Sequence, residues 1–203
     1  MTFTQGVNMR VIAGTAKGRT LRLVPGAGTR PIADRVKESL FNILRWQVLE
    51  CRFLDLFAGT GSVGIEALSR GASRAVFVEK APKAIRVIRE NLQTTGMSAH
   101  AQVIQSDVFA FIDRPGPSDV DARFDIVYVA PPQYQGLWAK TLLALDEHPL
   151  LADEGIVVAQ IFPKEFEPLS LRTVALADQR TYGSTMLCFY QWQSPEPDTA
   201  VPK

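Results

Sequence analysis

Phe53-Leu54-Asp55-Leu56-Phe57-Ala58-Gly59-Thr60-Gly61-Ser62-Val63-Gly64 is the stretch on which the reading of the fold turns. Its apolar run 53–58 predicts a buried parallel strand, and Gly59, Gly61 and Gly64 follow at the spacing Gly-x-Gly-x-x-Gly. Val63, Ile65, Ala67 and Leu68 then open a helical pattern. Strand, glycine turn and helix in this order predict a loop that binds a nucleotide cofactor, because glycine lets backbone N–H groups approach a ligand with no Cβ between them. A second apolar run, 75–78, ends in Glu79, 18 residues beyond Gly61, where this type of unit places its ribose-binding carboxylate. The alternative for Glu79 is a solvated acid paired with Lys80 or Lys83.

Outward from this centre, strand and helix patterns alternate. Strands are expected at 75–78, 102–104, 126–129 and 156–161, and helices at about 82–92, 108–112 and 137–145. Alternation of this kind means an α/β fold, a mostly parallel sheet with helices on both faces. Runs 173–176 and 186–192, joined around Tyr182-Gly183-Ser184, predict an antiparallel edge hairpin, so the expected sheet has seven strands. Ahead of the core, 9–12 and 19–24 read as two short strands around a glycine-bearing turn, carrying Arg10, Lys17, Arg19 and Arg22. Pro31 suits the first turn of the next helix. In that helix Val36, Leu40, Ile43 and Leu44 share an apolar face, leaving Arg35 and Lys37 for solvent or a phosphate. The expected organisation is a disordered 1–8, one domain over 9–193 (a basic hairpin and helix over 9–50, the α/β core over 51–193) and a flexible tail over 194–203.

At 203 residues and 46% hydrophobic content, the chain supports one sizeable core. Net charge is +1, yet residues 1–50 hold eight Lys/Arg against three Asp/Glu, a local +5 that leaves −4 elsewhere. A basic arm on a near-neutral body fits a polyanionic partner, with an ordinary solvated surface as the alternative. Cys51 and Cys188 lie beside apolar segments and are expected to be buried thiols. Two histidines and these cysteines assemble no familiar metal set, so no metal is expected. No apolar run reaches membrane-spanning length and no signal pattern opens the chain, so a cytoplasmic protein is expected.

Parallel strands gather the residues past their carboxyl ends along one rim, where ligands bind. That rim holds Gly59–Gly64, Glu79, Ser106-Asp107 and Ala130-Pro131-Pro132-Gln133-Tyr134. Asp107 is either a ligand contact or the N-cap of a helix starting at Val108. Two prolines after a buried strand fix a rigid exit. Tyr134 then offers a ring on which a flat base can stack, or else packs on the next helix.

Asp-Leu-Phe-Ala-Gly-Thr-Gly-Ser-Val-Gly at 55–64, Val-Glu-Lys at 78–80 and Pro-Pro-x-Tyr after the fourth strand resemble the class I S-adenosylmethionine-dependent methyltransferases of exocyclic amines. Arg-Val-Ile-Ala-Gly at 10–14, Lys-Gly-Arg at 17–19, Thr-Arg-Pro-x-x-Asp-Arg-Val-Lys-Glu at 29–38, Leu-Phe-Asn at 40–42 and Tyr-Gly-Ser-Thr at 182–185 are more specific. They are similar to the bacterial 16S rRNA guanine-N2 methyltransferases, over roughly residues 9–192. The resemblance implies a Rossmann-like fold, S-adenosyl-L-methionine as cofactor, and 16S rRNA or the assembling small ribosomal subunit as partner, with the chain acting as a monomer. It implies cofactor contacts at Asp55, Phe57, Ala58, Gly59, Gly61, Gly64, Glu79, Lys80, Asp107 and Val108, so a bulky side chain at Gly61 is expected to block the cofactor. Catalytic positions are expected at Ala130, Pro131, Pro132 and Tyr134, and RNA contacts at Arg10, Lys17, Arg19, Arg30 and Arg35, with pairing to Asp34 or Glu38 as the alternative for Arg30 and Arg35.

One position departs from the family. Its motif after the fourth strand begins with Asp or Asn, and here Ala130 stands there. A guanine amine has its lone pair delocalised into the ring, and an acceptor for its N–H helps to aim it. Ala130 has no such side chain, so positioning is expected to carry more of the chemistry. The same departure suggests the alternative of a cofactor-binding assembly factor without catalysis. A nicotinamide-dependent oxidoreductase is a further class compatible with the glycines and Glu79.

Overall fold

The computed structural model of the chain describes residues 9–26, 32–114, 123–148 and 150–193. β1 (Arg52–Leu56), β2 (Arg74–Glu79), β3 (Ala101–Gln105), β4 (Phe124–Val129), β5 (Leu151–Ile161), β6 (Val174–Tyr182) and β7 (Thr185–Trp192) form one seven-stranded sheet. Their order is β3-β2-β1-β4-β5-β7-β6. The first five pair in parallel, and β7 runs antiparallel between β5 and the edge strand β6. α1 (Asp34–Leu44), α2 (Ser62–Ser69), α3 (Pro82–Thr95), α4 (Val108–Ile112) and α5 (Leu137–Glu147) cover the two faces.

Side chains of a strand point alternately to opposite faces, and here that alternation feeds two cores. Phe53, Phe77, Ile126 and Tyr128 pack with Leu40, Phe41, Ile65 and Ile88 on one face. Leu54, Val76, Val127 and Val129 pack with Val108, Trp138 and Leu142 on the other. The expected α/β class, seven strands and antiparallel edge hairpin are present.

Several boundaries differ from the sequence pattern. β1 stops at Leu56, and Phe57 turns into the left-handed region at φ 61°, so Phe57 and Ala58 belong to the turn. β5 begins at Leu151, ahead of the apolar run, through an irregular start where Glu154 has φ 63° and the register against β4 shifts. β6 runs on to Tyr182 because its middle, with Asp178 and Arg180, is a polar edge strand.

The amino-terminal hairpin is slighter than expected, with a single bridge between Arg10 and Thr20. It is held to α2 instead. Backbone N–H groups of Ile12 and Ala13 donate to the Glu66 carboxylate at 2.8 and 3.0 Å. The Ser69 hydroxyl accepts from Ala16 N and donates to Ala13 O at 2.6 Å. Gly14 crosses so close to α2 that a Cβ there would stand 1.7 Å from Ser69 O.

Lys37 is the clearest correction. Its side chain is not left for solvent or phosphate but is 1% exposed, 3.2 Å from a Glu66 carboxylate that is itself fully buried. Its Nζ also donates to Arg10 O at 2.6 Å. Burial lowers the Lys37 pKa, an effect that neighbouring Glu66 opposes. The apolar face of α1 turns accordingly, with Phe41 buried and Ile43 only half-buried.

Cys51 and Cys188 are buried free thiols, which burial pushes up to about 12 and about 11. Among the described residues no helix is long and apolar enough to cross a membrane, and no group of three or more His, Cys, Asp or Glu stands where it would hold a metal ion. Residues 1–8, Arg30, Pro31, the 115–117 loop and the tail from 194 lie outside the described residues.

Candidate cofactor groove and base platform

β1 has β2 on one side and β4 on the other, so the chain changes direction across the sheet between β1 and β4. At such a switch point the loops leaving the carboxyl ends diverge and open a crevice. Leu56 pairs with Val129, which sets the 57–61 turn beside Ala130-Pro131-Pro132. The four turns named from sequence therefore meet along one rim.

The first turn is built by backbone hydrogen bonds and two acidic side chains. Gly61 N donates to Ala58 O at 2.7 Å, and Ala58 N donates across to Val78 O at 3.1 Å. Glu79, the last residue of β2, accepts from Gly59 N at 3.0 Å and from Ala81 N at 2.8 Å. A carboxylate has about four acceptor positions, so Glu79 stays locked to the loop and keeps capacity for ribose hydroxyls. No bond to Lys80 or Lys83 is needed to explain its place, and Lys80 is exposed beside it.

The three glycines do different work. A Cβ on Gly59, at φ 56°, would meet only Phe57 O at 3.9 Å, so open space lies above it. On Gly64 a Cβ would come within 2.4 Å of Phe77 and 3.2 Å of Asp55, so this glycine lets α2 close on the sheet. A Cβ on Gly61 would point at Ile88 and Phe77 at 3.3 Å, with φ at 75°. A side chain at Gly61 thus strains the backbone and presses the core, whereas one at Gly59 would project into open space.

Asp55 lies under the loop, 2% exposed, and accepts from Gly64 N at 3.0 Å. Burial raises its carboxyl to about 8, countered in part by the Gly64 N–H, with Glu79 nearby raising it further. It supports the loop from below. Ala58 is buried and Phe57 half-buried at the edge of the groove.

Asp107 resolves as the N-cap of α4, its Oδ1 accepting from Phe109 N at 2.9 Å and Ala110 N at 3.4 Å. The residue is exposed at the rim, and Oδ2 takes no part in the cap. Val108 buries its side chain in the core, so what it offers a ligand is its backbone N–H, one of the unpaired donors of a helix start. The donor set suits an adenosyl group carrying a cationic centre: open space over Gly59, carboxylate acceptors at Glu79 and Asp107, and a free amide at Val108.

The second side of the crevice has no side-chain acceptor at its head. Ala130, half-buried, only donates its N–H to Leu56 O at 3.4 Å. Pro131 and Pro132 follow, and Tyr134 takes φ 61°, a left-handed conformation that strains a residue bearing a side chain. Tyr134 is 69% exposed and packs on Phe162, ring centroids 5.2 Å apart at 50°, not on the next helix. Its N–H donates to Glu165 at 2.7 Å.

Phe162 and Glu165 were absent from the sequence-derived rim, which stopped at the fourth strand. The signal was present, since β5 neighbours β4 and Phe162-Pro163 leave its carboxyl end as Pro131-Pro132 leave that of β4. Deeper in, Tyr128 donates to Gln160 at 2.6 Å, with burial, then Asp55, raising its phenol well above the usual value.

The basic arm touches this groove at its base. Thr60 Oγ1 lies 3.5 Å from Met9 Sδ. The Asn91 side-chain amide donates to both Thr60 O and Arg22 O at 2.9 and 3.1 Å, and its oxygen accepts from Arg22 N. Lys17, Arg19 and Arg35 are exposed. Arg10 pairs with Asp34 at 3.2 Å and Arg22 with Glu90 at 3.0 Å, both solvent-facing.

Strand order, switch-point crevice and glycine loop together define a class I methyltransferase fold. A family model described as "Conserved hypothetical protein 95" matches residues 9–191. The chain belongs to that family. It is 37% identical over 184 residues to "Putative rRNA methyltransferase YlbH" of Bacillus subtilis, covering 90% of this chain and 98% of the relative. It is 32% identical over 183 residues to "Ribosomal RNA small subunit methyltransferase D" of Escherichia coli, covering 90% and 89%. The solved structure titled "Putative methyltransferase yhhF from Escherichia coli" superposes with a TM-score of 0.81 at 31% identity, covering 92% of this chain and 98% of that one.

Proposed function

We propose that this chain is an S-adenosylmethionine-dependent RNA methyltransferase that modifies the exocyclic N2 amine of a guanine in 16S rRNA as the small subunit assembles. The observation that carries this reading is the rim itself: a cofactor loop locked by Glu79 stands beside a rigid, aromatic exit from β4. The names of the relatives support an rRNA substrate, and the family resemblance supports guanine. A cytoplasmic monomer is part of the same proposal.

When bound, S-adenosylmethionine supplies an electrophilic sulfonium methyl. Glu79 receives ribose hydroxyls, Asp107 and the Val108 amide offer polar contacts to an adenine edge, and the space over Gly59 admits the ligand. Tyr134 and Phe162 hold the flat face of the base, while Pro131 and Pro132 keep the exit stiff. With Ala130 in place of an acid, the N–H groups of the amine are left to backbone carbonyls at Ala130 and Pro131. Their task is to aim the amine, which loses its proton to solvent after transfer. Alignment of reacting atoms supplies much of the acceleration in such a step.

Labelled methyl donor, incubated with the protein and with small-subunit RNA or particles from a strain lacking the gene, is expected to label a guanine at N2. Absence of label in every assembly state overturns the reading. Ala130 favours a second one, an assembly factor without catalysis. Ala130→Asp separates them: faster transfer means a missing acceptor, whereas RNA binding with no transfer in either form favours the assembly factor.

A further inference from the structure

At the far end of the sheet from the groove lies an open concavity of about 540 Å³, bordered by Gly14, Phe41, Arg45, Trp46, Leu49 and Arg70. Trp46 is 74% exposed and Leu49 62%, a large apolar surface for side chains that burial would stabilise. The backbone holds them out. Arg45 and Glu50, at either end of the segment, have φ 49° and φ 58°, each a strained conformation for a residue with a side chain. Between them a 3-10 turn over Arg45–Val48 is closed by Leu49 N donating to Trp46 O at 3.0 Å.

Among the described residues the lining carries Arg45 and Arg70 and no carboxylate, while the exposed Glu50 closes the same segment. Arg70 lies over the Phe41 ring at 4.9 Å and is tied to Glu66, which also faces Lys37, so that cluster keeps a surplus positive charge. Arg45 is exposed and has no ion-pair partner among the described residues. The arm connects this surface to the groove. Its base touches the glycine loop at Thr60, and its turn, which carries Lys17, reaches the last turn of α2 at Ser69. An exposed indole beside an unpaired guanidinium, with further cations leading to it, is the chemistry of a single-stranded nucleic-acid contact: base stacked on ring, phosphate on cation.

We propose that this concavity is a second RNA-contact surface, on which Trp46 stacks one unpaired base of the substrate rRNA while Arg45 holds an adjoining phosphate. The proposal rests on the reading of the chain as an RNA methyltransferase. β1, five residues long, separates it from the glycine loop by roughly 17 Å, so a nucleotide held here is not the one being methylated. The surface anchors the RNA and leaves the reacting groups alone.

The test is binding of in-vitro-transcribed small-subunit rRNA across a salt series, with methyl-donor affinity, transfer rate and sedimentation measured on the same samples. Trp46→Ala is expected to weaken RNA binding about ten-fold and Trp46→Phe to retain most of it. Arg45→Ala is expected to lower the salt slope by about one. Donor affinity and the rate at saturating RNA stay as in the wild type. Trp46 packs on little, so folding is not at risk. Unchanged RNA affinity in Trp46→Ala overturns the proposal, and so does unchanged affinity with loss of a wild-type dimer, which assigns the surface to a second copy. A wild-type chain that neither binds this RNA nor transfers methyl removes both this proposal and the reading beneath it, whereas normal wild-type behaviour with an indifferent Trp46→Ala removes this proposal alone.

Discussion

On the β1–β2 side of the switch point, acidic side chains hold the turn from two directions: Glu79 grips Gly59 N and Ala81 N, and Asp55 grips Gly64 N from below. On the β4–β5 side the turn is held by proline stiffness, a ring contact and a single bond from Tyr134 N to Glu165. The first side is complete before any ligand arrives. The second presents rings and carbonyls and lacks the acid that its position invites. On the proposed function, binding the donor and aiming the amine fall to separate sides, and substitutions on each should be separable in the assay.

The largest effect is expected at Gly64→Val. Its added atoms meet Phe77 at 2.4 Å, and overpacking of this kind costs on the order of 3 kcal/mol, so thermal denaturation should show a destabilised chain that no longer binds the donor. Glu79→Ala loses charge-assisted hydrogen bonds worth about 1.5–3 kcal/mol, so calorimetry should show donor affinity falling roughly ten- to a hundred-fold. Tyr134→Ala does the reverse. Loss of a stacking ring, about 1–3 kcal/mol, lowers kcat/KM for RNA while donor affinity holds. If both variants damage both affinities equally, the two sides are not independent.

Glu165 offers a finer cut. Glu165→Ala frees the Tyr134 N–H and should reduce transfer about five-fold, the worth of roughly 1 kcal/mol. Glu165→Gln keeps an acceptor and should recover most of the rate. Failure of Gln to rescue would mean that the charge, not the bond, is what matters.

A separate test concerns Asp55 and pH. Its folded-state pKa, about 8, lies above the ordinary carboxylate value of 3.8. Between those values the native state keeps a proton that the unfolded chain gives up, so the stability it contributes at low pH is lost as pH rises toward 8. Asp55→Asn keeps an acceptor for Gly64 N and should flatten the pH dependence of the melting temperature across that window. A slope identical to the wild type would contradict the assignment.

The rim was legible because its signals are local: an apolar run, glycines at fixed spacing, an acid at a strand end and paired prolines each betray a backbone constraint within a few residues. The docking of the arm was not. Glu66 sits in the otherwise apolar 63–68 pattern of α2, which assigns it no partner, yet it gathers Ile12 N, Ala13 N, Lys37 and Arg70. That cluster pairs residues as much as 54 positions apart, which no local periodicity encodes. Phe162 and Glu165 were hidden for a related reason, since their place beside Tyr134 follows from β5 lying next to β4. The glycines were found, but which of them border open space and which press the core depends on Phe77 and Ile88, contributed by β2 and α3.

A crystal structure of the chain with S-adenosylhomocysteine puts the central claim to its most direct trial. The account predicts the ribose hydroxyls within hydrogen-bond distance of Glu79, with the ligand in the open space over Gly59 and the Tyr134–Phe162 rings beyond its sulfur. A ligand bound elsewhere, or a Glu79 carboxylate turned away from the sugar, would contradict it.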